Sequence, residues 1–353
     1  MSERLIVAVV GTGLIGGSVG MAARRRLGAH VRGTGRKAPL GVDLGALDEA
    51  CTDLADALDG ADVAVVCAPV DVLPQLTREV LSLAPAGCAV TDVGSTKRGV
   101  VAAAGADERF VGGHPLAGAE VAGVEHARED LFDGATWYLT PQPTSSGVLL
   151  ERVHRLLTGI GARPQVVDAA DHDRVMAAVS HLPHVLANAL VAQAAGALGG
   201  ERMPATGPSF RDATRVAGAN PDIWTGIYRA NRDALLDELD GTIEHLRGVR
   251  AALEADDAAG LTAWQTEAGE RRRALLEAGL AGGPVRELRA AVPNHPGVIA
   301  EIALTLGRAG INISDMALSP SPDNSSGVVA LWVPEAHADR AAGLIAGLGI
   351  PVS

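Results

Sequence analysis

Residues 5–18 read LIVAVVGTGLIGGS, and the fold is decided there. Leu5–Val10 is a continuous, apolar, largely β-branched run, the pattern of a strand buried on both faces of a parallel sheet. Gly11, Gly13 and Gly16 follow at the spacing G-x-G-x-x-G, and an Ala-rich helical stretch runs from about Ser18 to Leu27. Strand, glycine turn and helix in this order form the cradle for a dinucleotide. Gly11 makes the tight turn, Gly13 lets backbone approach a pyrophosphate, and Gly16 lets helix pack on strand. The helix N-terminus then offers N–H donors to the phosphates. Gly11, Gly13, Leu14, Ile15 and Gly16 are the cofactor-binding candidates of this turn. The pattern alone would also suit a purely structural glycine turn.

The next strand, within AHVRGTGRK (29–37), ends near Thr34–Lys37. An NAD site usually carries an Asp or Glu here for the ribose 2′-hydroxyl. The next acid is only Asp43, and Thr34, Arg36 and Lys37 stand where a 2′-phosphate would lie. Arginine pairs with phosphate bidentately, so the expected cofactor is NADP or NAD, with NADP favoured. Arg36 and Lys37 read equally simply as a solvated loop.

ADVAVVCAPV (61–70), CAVTDVG (88–94), RFVGGHPLAG (109–118) and ATWYLTP (135–141) continue the strands, with helices between them. The alternation predicts an α/β fold, a Rossmann-type doubly wound sheet. Its ligands should gather beyond the C-terminal ends of the strands. Ser95 and His114 both lie just past such ends, in separate loops.

The 353 residues suit two or three domains. A 47% hydrophobic and 20% charged composition excludes a disordered chain, a collagen and a disulfide scaffold. Aromatics are 3%, so the cores rest on Ala, Val, Leu and Ile. A formal charge of −12 argues against a general nucleic-acid binder. Cys51, Cys67 and Cys88 are few and odd in number, which fits a reducing cytosol. Leu5–Val10 is too short to span a bilayer and lacks the cleavage region of a secretory signal. The expectation is a cytoplasmic protein with no nucleic-acid or membrane partner.

From about Asp168 to Leu280 the pattern becomes helical. VMAAVSHLPHVLANALVAQAAGAL (175–198) reads as a buried helix at a possible subunit interface. Pro183 forfeits a backbone hydrogen bond and should kink it. Ser180, His181 and His184 lie at that point. The two histidines stand at i, i+3, a spacing compatible with a metal, but no further ligand set is evident. They read as satisfied core histidines or as a substrate pocket. In GPSFRDATRVAGANPDIWTGIYRAN (207–231), Arg211, Asp212, Arg215 and Trp224 gather near a short helix. One arginine could fork a substrate carboxylate, or form a surface ion pair worth little. Amphipathic helices at about 225–250 and 252–280 carry charges that read as solvated faces.

GTGLIGGS (11–18), DVGSTK (92–97), GGHPLAG (112–118), SHLPH (180–184) and FRDATRVAGANPDIW (210–224) together resemble the prephenate/arogenate dehydrogenase family, in that order along the chain. The resemblance implies a Rossmann-type domain followed by an all-helical dimerisation domain. It implies oxidative decarboxylation of a cyclohexadienol, with hydride leaving C4 for a nicotinamide and carbon dioxide leaving C1. On this resemblance His114 and Ser95 are catalytic, the histidine accepting the C4 hydroxyl proton and the serine hydrogen-bonding the same hydroxyl and the histidine. A histidine titrates in the right range for that task. Arg215 would bind a substrate carboxylate, His181 and His184 would line the pocket, and Glu120 would gate it. Asp212 and Trp224 would support the arginine. Ala119 departs from the expected Thr or Ser before Glu120, and the basic end of the second strand departs from NAD-preferring members.

Residues 285–353 change pattern again. Their order is βαββαβ, a small ferredoxin-like module. PGVIAEIALTLGRAGINI (296–313) resembles an ACT domain, which implies an amino-acid effector, such as tyrosine, at turn positions matched by Asn294, Gly297 and Asn312. A dimerisation module without ligand is the alternative. GLAGGP (279–284) reads as a flexible linker. The expected domains are therefore 1–167, 168–280 and 285–353. The leading function is NAD(P)-dependent prephenate dehydrogenase in tyrosine biosynthesis, as a homodimer. The competing functions are arogenate dehydrogenase and a non-catalytic sensor of dinucleotide and amino acid.

Overall fold

The computed structural model describes residues 4–118, 121–197, 207–278, 285–321 and 325–353. They divide into two compact units, one of residues 1–176, 218–230 and 285–353, the other of 177–217 and 231–284.

The first unit holds an eight-stranded sheet of β1 (Ile6–Val10), β2 (His30–Thr34), β3 (Glu49–Ala50), β4 (Val63–Val66), β5 (Ala89–Asp92), β6 (Phe110–Pro115), β7 (Thr136–Pro141) and β8 (Arg163–Val166). Their spatial order is β3-β2-β1-β4-β5-β6-β7-β8. Neighbours are parallel except β6 and β7, which run antiparallel. Because β1 pairs with both β2 and β4, the strand order reverses at β1, and the crevice beyond its C-terminal end is where such sheets bind ligand. The period of two along β1 and β4 sorts the core. Val7, Val9, Val63 and Val65 face one apolar cluster, and Ala8, Val10, Ala64 and Val66 face the other. Both faces are covered, which is why Leu5–Val10 reads as an unbroken apolar run rather than an alternation.

The C-terminal module belongs to this unit. β9 (Val285–Pro293), β10 (Asp315–Pro320) and β11 (Ser326–Pro334) form an antiparallel sheet in the order β10-β11-β9. Helices Val298–Arg308 and Ala338–Gly347 cross it, and the last expected strand is reduced to a bridge between Val352 and Ala290. The module shares the apolar cluster of the large sheet through Leu288, Val292, Ile299 and Ile302. Glycines allow the close approach. A Cβ on Gly307 would lie 2.3 Å from the Val166 carbonyl oxygen, and one on Gly297 would lie 1.9 Å from that of Pro143. The glycine-rich stretch 279–284 lies outside the described residues.

The second unit is helical: Leu182–Ala197, Pro208–Thr214, Arg232–Glu254 and Ala258–Ala278. The expected kink takes the form of a π-helical turn, Ala177–His181. Pro183 has no N–H to return to Val179, and the wider turn absorbs the mismatch. The expectation of a buried helix is corrected. Only Ala187 of Leu182–Ala197 is buried, and Leu186 and Leu190 are exposed. Its composition reads as core or subunit interface, and within one chain it is not covered. Ala169–Ala197 is long and apolar enough to cross a membrane, with a mean hydropathy of 1.5, by length and composition only.

Candidate active site

The glycine turn has the form its spacing requires. Gly11 has φ +104°, and a Cβ there would sit 2.0 Å from the Cys67 carbonyl oxygen. A Cβ on Gly16 would sit 2.1 Å from the Gly11 carbonyl oxygen. Gly13, at the head of helix Leu14–Leu27, has nothing within 4 Å of its would-be Cβ. It is therefore the open face of the turn, where a pyrophosphate can approach. Beside it the buried Thr12 hydroxyl has no hydrogen-bond partner among the described residues. The open glycine and the orphaned hydroxyl fit a dinucleotide. Leu14 is buried and Ile15 half-buried at the first turn of the helix. Thr34 ends β2, and Arg36 is exposed with no ion pair among the described residues. Lys37 is engaged. Its Nζ lies 2.7 Å from Glu125, whose carboxyl it holds below the usual range.

Past β5, the Asp92 carboxylate accepts from the Gly94 N–H at 2.8 Å, the Gly113 N–H at 3.0 Å, and the Lys97 ammonium. Lys97 also donates to the Gly113 carbonyl. Asp92 and Lys97 are fully buried. Burial pushes the Lys97 ammonium below its ordinary value, against the pull of Asp92. The pair staples the loop that carries Ser95 to the strand that carries His114. Gly112 and Gly113 permit this approach, since a Cβ on Gly113 would lie 2.5 Å from the Asp92 carbonyl oxygen.

His114 is buried near the C-terminal end of β6. Its Nδ1 lies 2.9 Å from Nε2 of His172, and Nδ1 of His172 lies 2.9 Å from the Asp173 carboxylate. Asp173 in turn accepts from the backbone N–H groups of Lys97 at 2.7 Å and Arg98 at 2.9 Å. Burial favours its neutral form, but the bonds from His172, Arg98 and Lys97 outweigh it and hold the carboxyl below its usual range. Burial also lowers the pKa of His172. Ser95 is half-buried in the bend beyond Gly94 and makes no hydrogen bond to His114 among the described residues.

His172, Asp173, Asp92 and Lys97 were not among the sequence candidates. Asp92 and Lys97 stand within DVGSTK, and His172–Asp173 open the helical region just before SHLPH. The available signal was a His-Asp pair at the head of a helix that then turns apolar, where charge needs a partner.

In the helical unit His181 is 1% exposed and its Nδ1 lies 3.2 Å from the Asn231 amide, the arrangement of a satisfied buried histidine. His184 is half-buried, and burial together with the nearby Arg215 charge lowers its pKa. The structure thus brings His184 and Arg215 together. Arg215 is exposed and caps helix Pro208–Thr214, its backbone N–H donating to the Asp212 backbone carbonyl at 3.4 Å; the Asp212 side chain is exposed. Trp224 falls in the first unit and packs on Tyr228, with ring centroids 5.6 Å apart. Glu120 and Ala119 lie outside the described residues.

At the C-terminal module Gly297, with φ +92°, donates its N–H to the Ser145 carbonyl at 3.0 Å. A groove of about 300 Å³ opens beside it, lined among others by Glu108, Ser146, Asn294, His295 and Ile299. The buried Asn312 side-chain oxygen has no hydrogen-bond partner among the described residues.

Three family models match. The nucleotide-binding domain of prephenate dehydrogenase covers residues 28–166, the dimerization domain of prephenate dehydrogenase covers 168–267, and the ACT domain covers 286–346. The chain is 32% identical to the prephenate dehydrogenase of Bacillus subtilis over 93% of this chain and 91% of that one. The prephenate dehydrogenase of Aquifex aeolicus, solved with hydroxyphenyl propionate and NAD+, superposes with a TM-score of 0.70 at 28% identity, covering 78% of this chain and 99% of that one. The arogenate dehydrogenase of Synechocystis gives a TM-score of 0.67 at 28% identity, covering 77% and 100%.

Proposed function

The chain belongs to the prephenate dehydrogenase family, and we propose that it catalyses the NAD(P)-dependent oxidative decarboxylation of prephenate to 4-hydroxyphenylpyruvate in tyrosine biosynthesis. One observation carries the reading. His114, backed by a buried His172–Asp173 pair, closes β6 on the same edge of the parallel sheet as the glycine turn after β1.

A bound nicotinamide supplies the acceptor for the hydride that leaves C4 of the ring. Nε2 of His114 takes the proton from the C4 hydroxyl as that hydride departs, so the oxygen becomes a carbonyl. The C1 carboxylate then leaves as carbon dioxide, and its bonding electrons enter the ring and make it aromatic. The resulting phenolate oxygen takes back the proton from His114. Ser95 hydrogen-bonds the reacting hydroxyl, and Arg215 binds a substrate carboxylate with His184 beside it. His181, Asp212 and Trp224 shape and support the pocket, and Glu120 gates it. Orientation and proton handling are what the protein adds, because aromatisation supplies the driving force.

The open Gly13 and the orphaned Thr12 hydroxyl support a dinucleotide, and the exposed Arg36 supports NADP as the favoured one, with Arg36 rather than the engaged Lys37 on the 2′-phosphate. The domains are 1–167, 168–280 and 285–353. The exposed apolar side chains of Leu182–Ala197 support a homodimer. The groove beside Asn294 and Gly297 supports an amino-acid effector such as tyrosine, with Asn312 the third turn position of that reading. The enzyme works in the cytoplasm. The likeness to the Synechocystis enzyme favours arogenate as the second substrate to be examined. The test is cofactor reduction by the purified protein with prephenate and arogenate, each with NAD and NADP. Reduction with prephenate and release of carbon dioxide are expected. Turnover of arogenate alone would transfer the reading to that substrate, and cofactor binding with no reduction would favour a sensor.

A further inference from the structure

The line His114–His172–Asp173 has a direction. A carboxylate accepts and does not donate, and the Asp173 carboxylate already accepts two backbone N–H groups. Nδ1 of His172, 2.9 Å away, must therefore carry the hydrogen. His172 is 1% exposed in a site whose burial disfavours a charged ring, so its other nitrogen, Nε2, holds a lone pair. The partner of that lone pair is Nδ1 of His114 at 2.9 Å, which must donate. A neutral His114 is then the Nδ1–H tautomer, with its lone pair on Nε2.

We propose that His172 and Asp173 are positioning residues that fix this tautomer, so that His114 presents Nε2 as the proton acceptor. The inference rests on the reading of His114 as the base. When Nε2 takes the substrate proton, an O–H bond breaks and an N–H bond forms. The imidazolium keeps its Nδ1–H on His172, and the Asp173 carboxylate faces the new charge through that ring. The other groups around His172 do not compete for the line. Lys97 is bound to Asp92, Arg98 donates to the far oxygen of Asp173, and Tyr138 packs its ring edge-on with centroids 5.5 Å apart. The charge of Lys97 disfavours protonation of His172, and those of Asp173 and Asp92 favour it. The arrangement has the logic of a triad in which a buried acid orients an imidazole, here acting through a second imidazole.

The test combines a tautomer measurement with kinetics. Nitrogen-15 NMR of the histidine-labelled full-length protein near pH 8, without substrate, should show His114 protonated at Nδ1 and bare at Nε2. His172→Leu removes the acceptor. Turnover should fall by about 10²-fold, inside the range a positioned general base contributes, with KM and cofactor affinity little changed. The acid limb of kcat/KM should move to lower pH, because the imidazolium loses the partner for its Nδ1–H. His172→Gln can donate to Asp173 and accept from His114, and should recover much of the rate. A His114 protonated at Nε2 in the wild type would overturn the inference, as would a folded His172→Leu enzyme with unchanged kcat and pH profile. The NMR arm decides the matter even if His172→Leu fails to fold. It needs no turnover, so an inactive wild type that still shows Nδ1–H would count against the function and not against the tautomer.

Discussion

Nδ1 of His114 and Nε2 of His172 lie 2.9 Å apart, buried at the C-terminal end of β6, and the same His172 ring reaches Asp173 with its other nitrogen. His114 therefore sits at the end of a hydrogen-bonded line anchored on the backbone N–H groups of Lys97 and Arg98, two and three residues after Ser95. The Asp92–Lys97 pair bolts that loop to the Gly113 backbone. The Ser95 loop and the helix Ala169–Met176 are thereby tied to one strand end, the preorganisation a proton-transfer site needs.

His114→Asn should lower kcat by roughly 10²–10⁴-fold while cofactor affinity stays near wild type. Steady-state rates and a cofactor titration on the same preparation check both halves. A near-normal rate would remove His114 from the mechanism.

Gly11, Gly13 and Gly16 should separate by role. Gly13→Ala adds a methyl into open space, so the melting temperature should hold while cofactor affinity drops about tenfold or more, equivalent to about 1.4 kcal/mol. Gly11→Ala and Gly16→Ala place a Cβ against backbone oxygens and should lower the melting temperature as well. Equal behaviour of the three in thermal melts would contradict this division.

These distinctions show what was legible in the chain. Unbroken β-branched runs and the glycine spacing are local signals, and they carried the sheet, the turn and the βαββαβ module. The antiparallel pairing of β7 was not legible, because strand direction depends on a connection rather than on composition. The apolar stretch 175–198 reads as buried, within the chain or at a subunit interface, since composition reports what must be covered and not which chain covers it. Ser95 lies beyond the end of β5, as its place in the sequence suggests, whereas His114 lies inside β6, paired with Tyr138, and not in a loop past it. The His172–Asp173 support was not legible, because its partners at 97, 98 and 114 come from distant parts of the chain.

Arg36→Ala should weaken NADP more than NAD, because only NADP carries the 2′-phosphate. Lys37→Ala should have the smaller effect, as Lys37 is already held by Glu125. Dissociation constants for both cofactors with both variants decide it, and equal losses would overturn the preference for NADP.

Arg215→Ala should mainly raise the KM for substrate, by an amount corresponding to about 2–5 kcal/mol if the carboxylate pair is desolvated. Arg215→Lys should restore only part, because an ammonium lacks the planar fork. An unchanged KM would make Arg215 an ordinary surface charge.

His154, buried where the helix Gly147–Gly159 meets β10, has its pKa pushed down to about 4 by burial, with Asp315 3.9 Å away. An unfolded histidine takes its proton near pH 6.5. The folded state's advantage is therefore complete above that pH and declines as pH falls towards 4. At pH 5 the loss should be about 2 kcal/mol. Neighbouring Glu151, its carboxyl raised by burial, works in the opposite sense, its contribution fading as pH rises. Denaturant melts of wild type and His154→Leu at pH 7.5 and pH 5 isolate the histidine. The wild type should lose this stability between the two and the variant should not. Parallel losses would assign the acid sensitivity elsewhere.

The most direct measurement is a crystal structure of the full-length enzyme with oxidised cofactor and 4-hydroxyphenylpyruvate. The account predicts the phenolic oxygen within about 2.6–3.2 Å of Nε2 of His114, with Nδ1 still on His172. A phenolic oxygen bound away from that nitrogen, with His114 facing solvent or protein alone, would contradict it.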